Sequence, residues 1–180
     1  MSKSRWIWAV GFWGVVLGAC AVSPAVRRDE ARLVPPGEGR KLDVLGESIT
    51  VKVGPGQTGG DYAVIEEQTP PGGGPPPHIH DREDEVFYVL AGEVEFMVGG
   101  KTIAGKPGSL GFIPRGTAHT FKNVGAAPCK VLVFISPGGF VGFFEEIDAR
   151  SKAGNLPKEE VVKIAQRYGM TVLPPPSAPK

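Results

Sequence analysis

The sequence predicts an all-β domain, a sandwich or barrel of short antiparallel strands, and three observations carry that prediction. Of 180 residues, 26 are glycine and 18 are proline, about twice average usage and too many chain breakers for a helical bundle. Apolar residues alternate with polar ones over short runs. Turn signals separate those runs roughly every 8–12 residues.

In chain order, Ile49, Val51 and Val53 alternate in ESITVKV, and Tyr62 and Val64 do so in DYAVIEE. Each is the signature of a half-buried strand. Further strands are predicted at 85–90, 93–98, 101–104, 109–113, 119–124 and 130–136, with Gly99-Gly100 as a hairpin turn that accepts positive φ. Beyond Ser136 the period changes. Phe140, Phe143, Phe144 and Ile147 fit one face of a short helix. A second helix follows Pro157, with two glutamates in its first turn, an apolar stripe of Val161, Val162, Ile164, Ala165 and Tyr168, and Gly169 as its stop. These helices are expected to cap one mouth or edge of the barrel, and the PPPSAPK ending reads as disordered.

The opening residues follow another logic. MSKSR is basic, WIWAVGFWGVVLGA is apolar, and small residues precede Cys20, which is the layout of a secretory signal peptide. Leu17-Gly18-Ala19-Cys20 resembles a bacterial lipobox, which implies lipidation of Cys20 and a mature chain that begins there. Removal of Lys3 and Arg5 with the leader leaves 18 basic against 19 acidic residues. An uncleaved anchor over Trp6 to Val22 is the alternative, at the short limit for a spanning helix. Either way the domain is expected outside the cytoplasm, on the cell envelope, facing the periplasm or the cell surface. The resulting division is a leader at 1–19, a tether at 20–40, a barrel at 41–137 and a helical cap with a Pro-rich end at 138–180. A near-neutral charge excludes a strongly basic nucleic-acid binder, and two cysteines cannot frame a disulfide scaffold of this length. Cys129 reads as a buried apolar filler.

Chemistry concentrates in three histidines, His78, His80 and His119, all inside the predicted β region. On an extended segment His78 and His80 share a face. Two such imidazoles suit a shared divalent cation; two exposed loop histidines are the other reading the residues leave open. Asp81, Glu83 and Asp84 read as a solvated acidic loop.

The surrounding spacing is more specific. Gly72 is followed after five residues by His78, then His80, Glu85 and Gly92; Gly108 is followed after five residues by Pro114, then Gly116, His119 and Asn123, with 15 residues between the two stretches. This pattern resembles both signature motifs of the cupin superfamily. The resemblance implies a double-stranded β-helix, the jelly-roll barrel, with one divalent transition metal ion (iron, copper, nickel, manganese or zinc) held by His78, His80, Glu85 and His119. Three imidazole nitrogens and one carboxylate suit such an ion and leave positions open for substrate.

Alternation places Phe87 and Val89 on the face of Glu85, and Phe121 on the face of His119; Phe96, Phe112 and Phe134 are further candidates for a small-molecule pocket. Such a lining, aromatic and poor in cations, suits a flat phenolic or enolic substrate. The tail, PGGFVGFFEEI and then RYGMTVLPP, resembles that of bacterial single-cupin proteins described as quercetin 2,3-dioxygenase-like. That resemblance implies dioxygenase chemistry on a flavonol-like substrate, with Glu85 doubling as ligand and proton acceptor. A non-redox decarboxylase, isomerase or lyase on the same metal, and a non-catalytic envelope binding protein, are the other classes. Pairing of barrels into a homodimer is expected from the resemblance, with no interface named.

Overall fold

The computed structural model describes residues 30–154 and 156–174; the leader, Cys20 and the Pro-rich end from 175 lie outside them. No helix among the described residues is long and apolar enough to cross a membrane. Strands β1 (Arg40–Val44) and β2 (Glu47–Val53) form a hairpin, followed by a single helical turn α1 (Pro55–Thr58) and β3 (Ala63–Thr69). Then come β4 (His78–His80), β5 (Asp84–Ala91), β6 (Val94–Val98), β7 (Lys101–Gly105), β8 (Leu110–Ile113), β9 (His119–Asn123) and β10 (Cys129–Ser136). Helices α2 (Val141–Ala153) and α3 (Lys158–Arg167) precede a last strand, β11 (Met170–Val172).

Two sheets face each other, one in the order β1-β2-β3-β10-β5-β8 and one in the order β11-β4-β9-β6-β7, with every pairing antiparallel. This is the cupin double-stranded β-helix expected from the motifs. Inward residues of both sheets, among them Ile49, Ile65, Val89, Val94, Val131 and Val133, are almost fully buried, which is the period-2 pattern of a sandwich. Cys129 is a buried free thiol within this core. Gly92 follows β5 at φ +83, and a Cβ there would lie 2.7 Å from Cys129, so only glycine fits.

Three short strands escape the sequence reading: β1, β4 and β11. Strand β11 matters most, because it extends the smaller sheet by pairing Met170 with His80 and Val172 with His78. Helix α2 packs on β1, where the Asp43 amide donates to Asp148 Oδ1 at 2.8 Å and Arg40 pairs with Glu145. The C-terminal elements thus close over one end of the space between the sheets.

Candidate metal centre

Strand β4 turns His78 and His80 inward, with Ile79 on the other face. His119 opens β9 and lies in register opposite His78. Glu85 arrives from β5 in the facing sheet. The ligand-capable atoms of these four buried side chains all lie within 4.8 Å of one another, so the quartet spans the gap between the sheets.

Contacts behind the rings set their orientation. The Pro76 carbonyl lies 2.8 Å from His78 Nδ1, and the Thr117 carbonyl lies 2.9 Å from His119 Nδ1. A carbonyl only accepts, so each Nδ1 is assigned the proton and each Nε2 keeps its lone pair for the centre. His80 Nδ1 faces Glu83 Oε2 at 3.5 Å, and its Nε2 is 3.6 Å from Glu85 Oε2. His119 Nε2 approaches Glu85 Oε2 to 2.9 Å. Because the His119 Nδ1 is already a donor, that contact needs positive charge between the groups, either a second ring proton or a metal ion.

Burial, reinforced by His119 and His80, drives the His78 pKa down to about 3. Burial alone would raise Glu85, yet the hydrogen bond to His119 and the charges of the three imidazoles bring it below its ordinary value. Burial would lower His119, and Glu85 carries it above. An ionised carboxylate beside buried imidazoles with converging lone pairs fits a borderline divalent cation. The orphaned His80 Nδ1 and Glu83 Oε2, both without a hydrogen-bond partner among the described residues, fit the same conclusion, since a metal-bound imidazole donates its outer N–H to a carboxylate.

The hairpin that delivers His119 is pinned on both sides. Gly116, at φ +79, donates its amide to the His80 carbonyl at 2.7 Å. Arg115 grips Asp84 through its amide and guanidinium at 2.8–3.0 Å, and those bonds hold Asp84 down at about 2. Arg115 is thereby spent on the surface.

A cavity of about 300 Å³ adjoins the quartet. His78, His80, Glu85, Phe87 and Phe121 line it, joined by Phe140, Phe143 and Phe144 from the C-terminal cap and by Met170 and Val172 from β11. Phe140 meets His80 edge-on at 4.3 Å between ring centroids. Two further glutamates, Glu47 and Glu67, complete the polar lining, and no lysine or arginine takes part.

Among the residues proposed for the pocket, Val89 and Phe96 are core that does not reach the cavity; Phe96 backs Phe87 and Phe121 at 5.7 and 5.9 Å. Phe112 and Phe134 must be corrected: they are 60% and 37% exposed. Both lie opposite Val86 on neighbouring strands, so once Glu85 and Phe87 face inward, this row faces out. Phe134 stacks on Tyr62 instead, at 4.9 Å. Glu83 is a second correction, being 5% exposed behind His80 and not on a solvated loop face. Glu67 was overlooked, although the alternation Ala63, Ile65, Glu67, Thr69 puts it on the buried face of β3.

Comparison with known proteins agrees with the fold. The family described as "Cupin domain" matches residues 65–135. These findings support the cupin superfamily. The cupin barrel resembles the solved structure of KdgF from Halomonas sp., with a TM-score of 0.54 at 22% identity, covering 60% of this chain and 94% of that one. The oxalate-binding protein of Thermotoga maritima is 35% identical over 58 residues, 32% of this chain and 48% of its own. Endoribonuclease YbeY of Myxococcus xanthus is 29% identical over 112 residues, 62% of this chain and 36% of its own. The chain thus spans about a third to a half of the length of these curated relatives.

Proposed function

We propose that this protein is a metal-dependent cupin dioxygenase that acts on a flat phenolic or enolic molecule of flavonol type. The observation that carries the reading is the pairing of the His78, His80, Glu85 and His119 quartet with an aromatic cavity into which no cation points. A bound divalent ion would supply Lewis acidity toward a substrate oxygen and, if redox-active, a path for dioxygen. The chain's own residues do the rest. Phe87, Phe121 and Phe140 give a planar substrate an aromatic wall and would exclude water from the reacting edge. Glu85, held below its ordinary pKa, stays ionised at neutral pH and can accept the proton of a substrate hydroxyl.

The relative from Thermotoga maritima is named for oxalate. In this chain no lysine or arginine lines the cavity to pair with a second carboxylate, and Glu47 stands there instead, which disfavours oxalate here. We also propose export and lipid anchoring through Cys20; Cys20→Ala should move the protein from the membrane fraction to the soluble one.

The test combines elemental analysis of protein purified from its native envelope with oxygen-electrode measurements on 3-hydroxyflavone. Oxygen uptake that depends on the native ion supports the dioxygenase. Turnover without oxygen would replace it with a lyase, isomerase or decarboxylase. Binding with full recovery of the flavonol would make the protein a carrier.

A further inference from the structure

The metal quartet accounts for one end of the cavity and leaves its other polar feature unexplained. Glu67 projects from the middle of β3, opposite Ile49 on β2 and Val131 on β10. It lies two strands from Glu85 in the same sheet and four residues along from Ala63, which shares the Ile135 position with Glu85. Its side chain lines the cavity, its residue is 9% exposed, and no hydrogen bond to it is found among the described residues. Its carboxyl oxygens are not among the polar atoms sealed away without a partner and so remain open to the cavity. Its neighbour Glu47 is engaged through one oxygen, Oε1, which accepts the Gly74 amide at 2.8 Å, while its Oε2 is buried without a partner among the described residues. A buried carboxyl that no protein group satisfies costs stability. Packing cannot account for it, because leucine would fill the same place among Ile49, Ile65 and Val133 without that cost.

The geometry points to Glu67 as a recognition residue at the far end of the cavity, hydrogen-bonding a hydroxyl or carbonyl group on the substrate's distal ring while its other edge faces the metal quartet. Burial first, and then the charges of Glu47 and Glu85, raise the Glu67 pKa to about 8. At neutral pH the group therefore carries a proton and offers both a donor and an acceptor. That selects a neutral or weakly acidic oxygen and rejects a carboxylate or phosphate, whose charge would also confront Glu47. This inference rests on the reading of the cavity as a flavonol-type site and adds the group that would choose among such molecules.

The experiment compares 3-hydroxyflavone with its 7-hydroxy and 4′-hydroxy derivatives by calorimetric titration of the metal-loaded protein. All three share the hydroxy-ketone edge, and the derivatives present an extra hydroxyl at either end. The expected result is that one derivative binds about five- to tenfold tighter than the parent flavonol, as one net hydrogen bond allows. Glu67→Leu should abolish that preference and leave the affinity for 3-hydroxyflavone within about twofold, while Glu67→Gln, which keeps a donor and an acceptor, should retain it. Thermal unfolding guards against a trivial loss, because Glu67→Leu should fold with a raised Tm if the carboxyl is kept for recognition, and a lowered Tm would mean a structural role and overturn the inference. Equal binding of all three flavonols, or a preference that survives Glu67→Leu, overturns it while leaving the dioxygenase reading intact. Failure of every flavonol to bind the wild-type protein overturns both.

Discussion

Glu85 and Glu67 stand on the inner face of the same sheet, both buried and both lining one cavity, yet they end in opposite protonation states. Desolvation pushes each carboxyl toward its neutral form. At Glu85 the three histidines reverse that push and leave the group below its ordinary pKa. At Glu67 the charged neighbours are other carboxylates, Glu47 and Glu85, which add to the push and take it to about 8. Depth in the barrel therefore does not decide charge; the partner does. The four converging donors of one region could hold a cation, while Glu67, as proposed, has a proton to present.

The sharpest way to break this contrast is to remove a member of the quartet. His80→Ala or Glu85→Ala should leave less than about a tenth of the parent's metal content by elemental analysis, since each supplies one of four converging donors. Unchanged metal in both variants would remove the cation end altogether. Glu83→Gln should act less strongly, lowering metal affinity about 10- to 100-fold in a chelator competition by weakening the carboxylate behind His80.

At the other end, Glu67→Leu should raise stability in denaturant titrations by about 1–3 kcal/mol, the cost of an unsatisfied buried polar group. The gain should grow with pH. Folded Glu67 holds its proton up to about 8 and the unfolded chain releases it near 4.5. The parent therefore binds the extra proton when folded, and its stability relative to the leucine variant falls as pH rises through that window. A difference that is flat between pH 5 and pH 8 would show that the carboxyl is ionised throughout. The smallest effect belongs to Arg115→Ala. Its contact with Asp84 is exposed, and such pairs contribute little, so metal content and Tm should stay close to those of the parent.

Much of the barrel was legible because strand period and turn chemistry act locally. That His78, His80, Glu85 and His119 come together was legible through the motif spacing that resembles the cupin pattern, in which glycines such as Gly116 and Gly92 hold the turns. The cavity was less so. Phe112 and Phe134 were misplaced because an aromatic residue says nothing about which face it takes, and that is settled by register against Val86. The phenylalanines of the cap showed their helical spacing, but not that the cap folds back over His80. Met170 and Val172 were hidden because a three-residue strand has too few alternations to read. Glu83 looked like loop because its neighbours are charged, whereas it is buried behind His80, with Oε2 3.5 Å from the ring Nδ1.

The placement of β11 also bears on the order in which the protein is made. The candidate ligands end at His119, while Met170 and Val172, which pair with His80 and His78 and line the cavity, come about 50 residues later. A chain that emerges from its N-terminus has all four donors in hand well before the residues that shelter them. A chain in which β11 has not yet docked lacks that cover, so an ion supplied before docking would meet a more open candidate centre than one supplied to the finished protein.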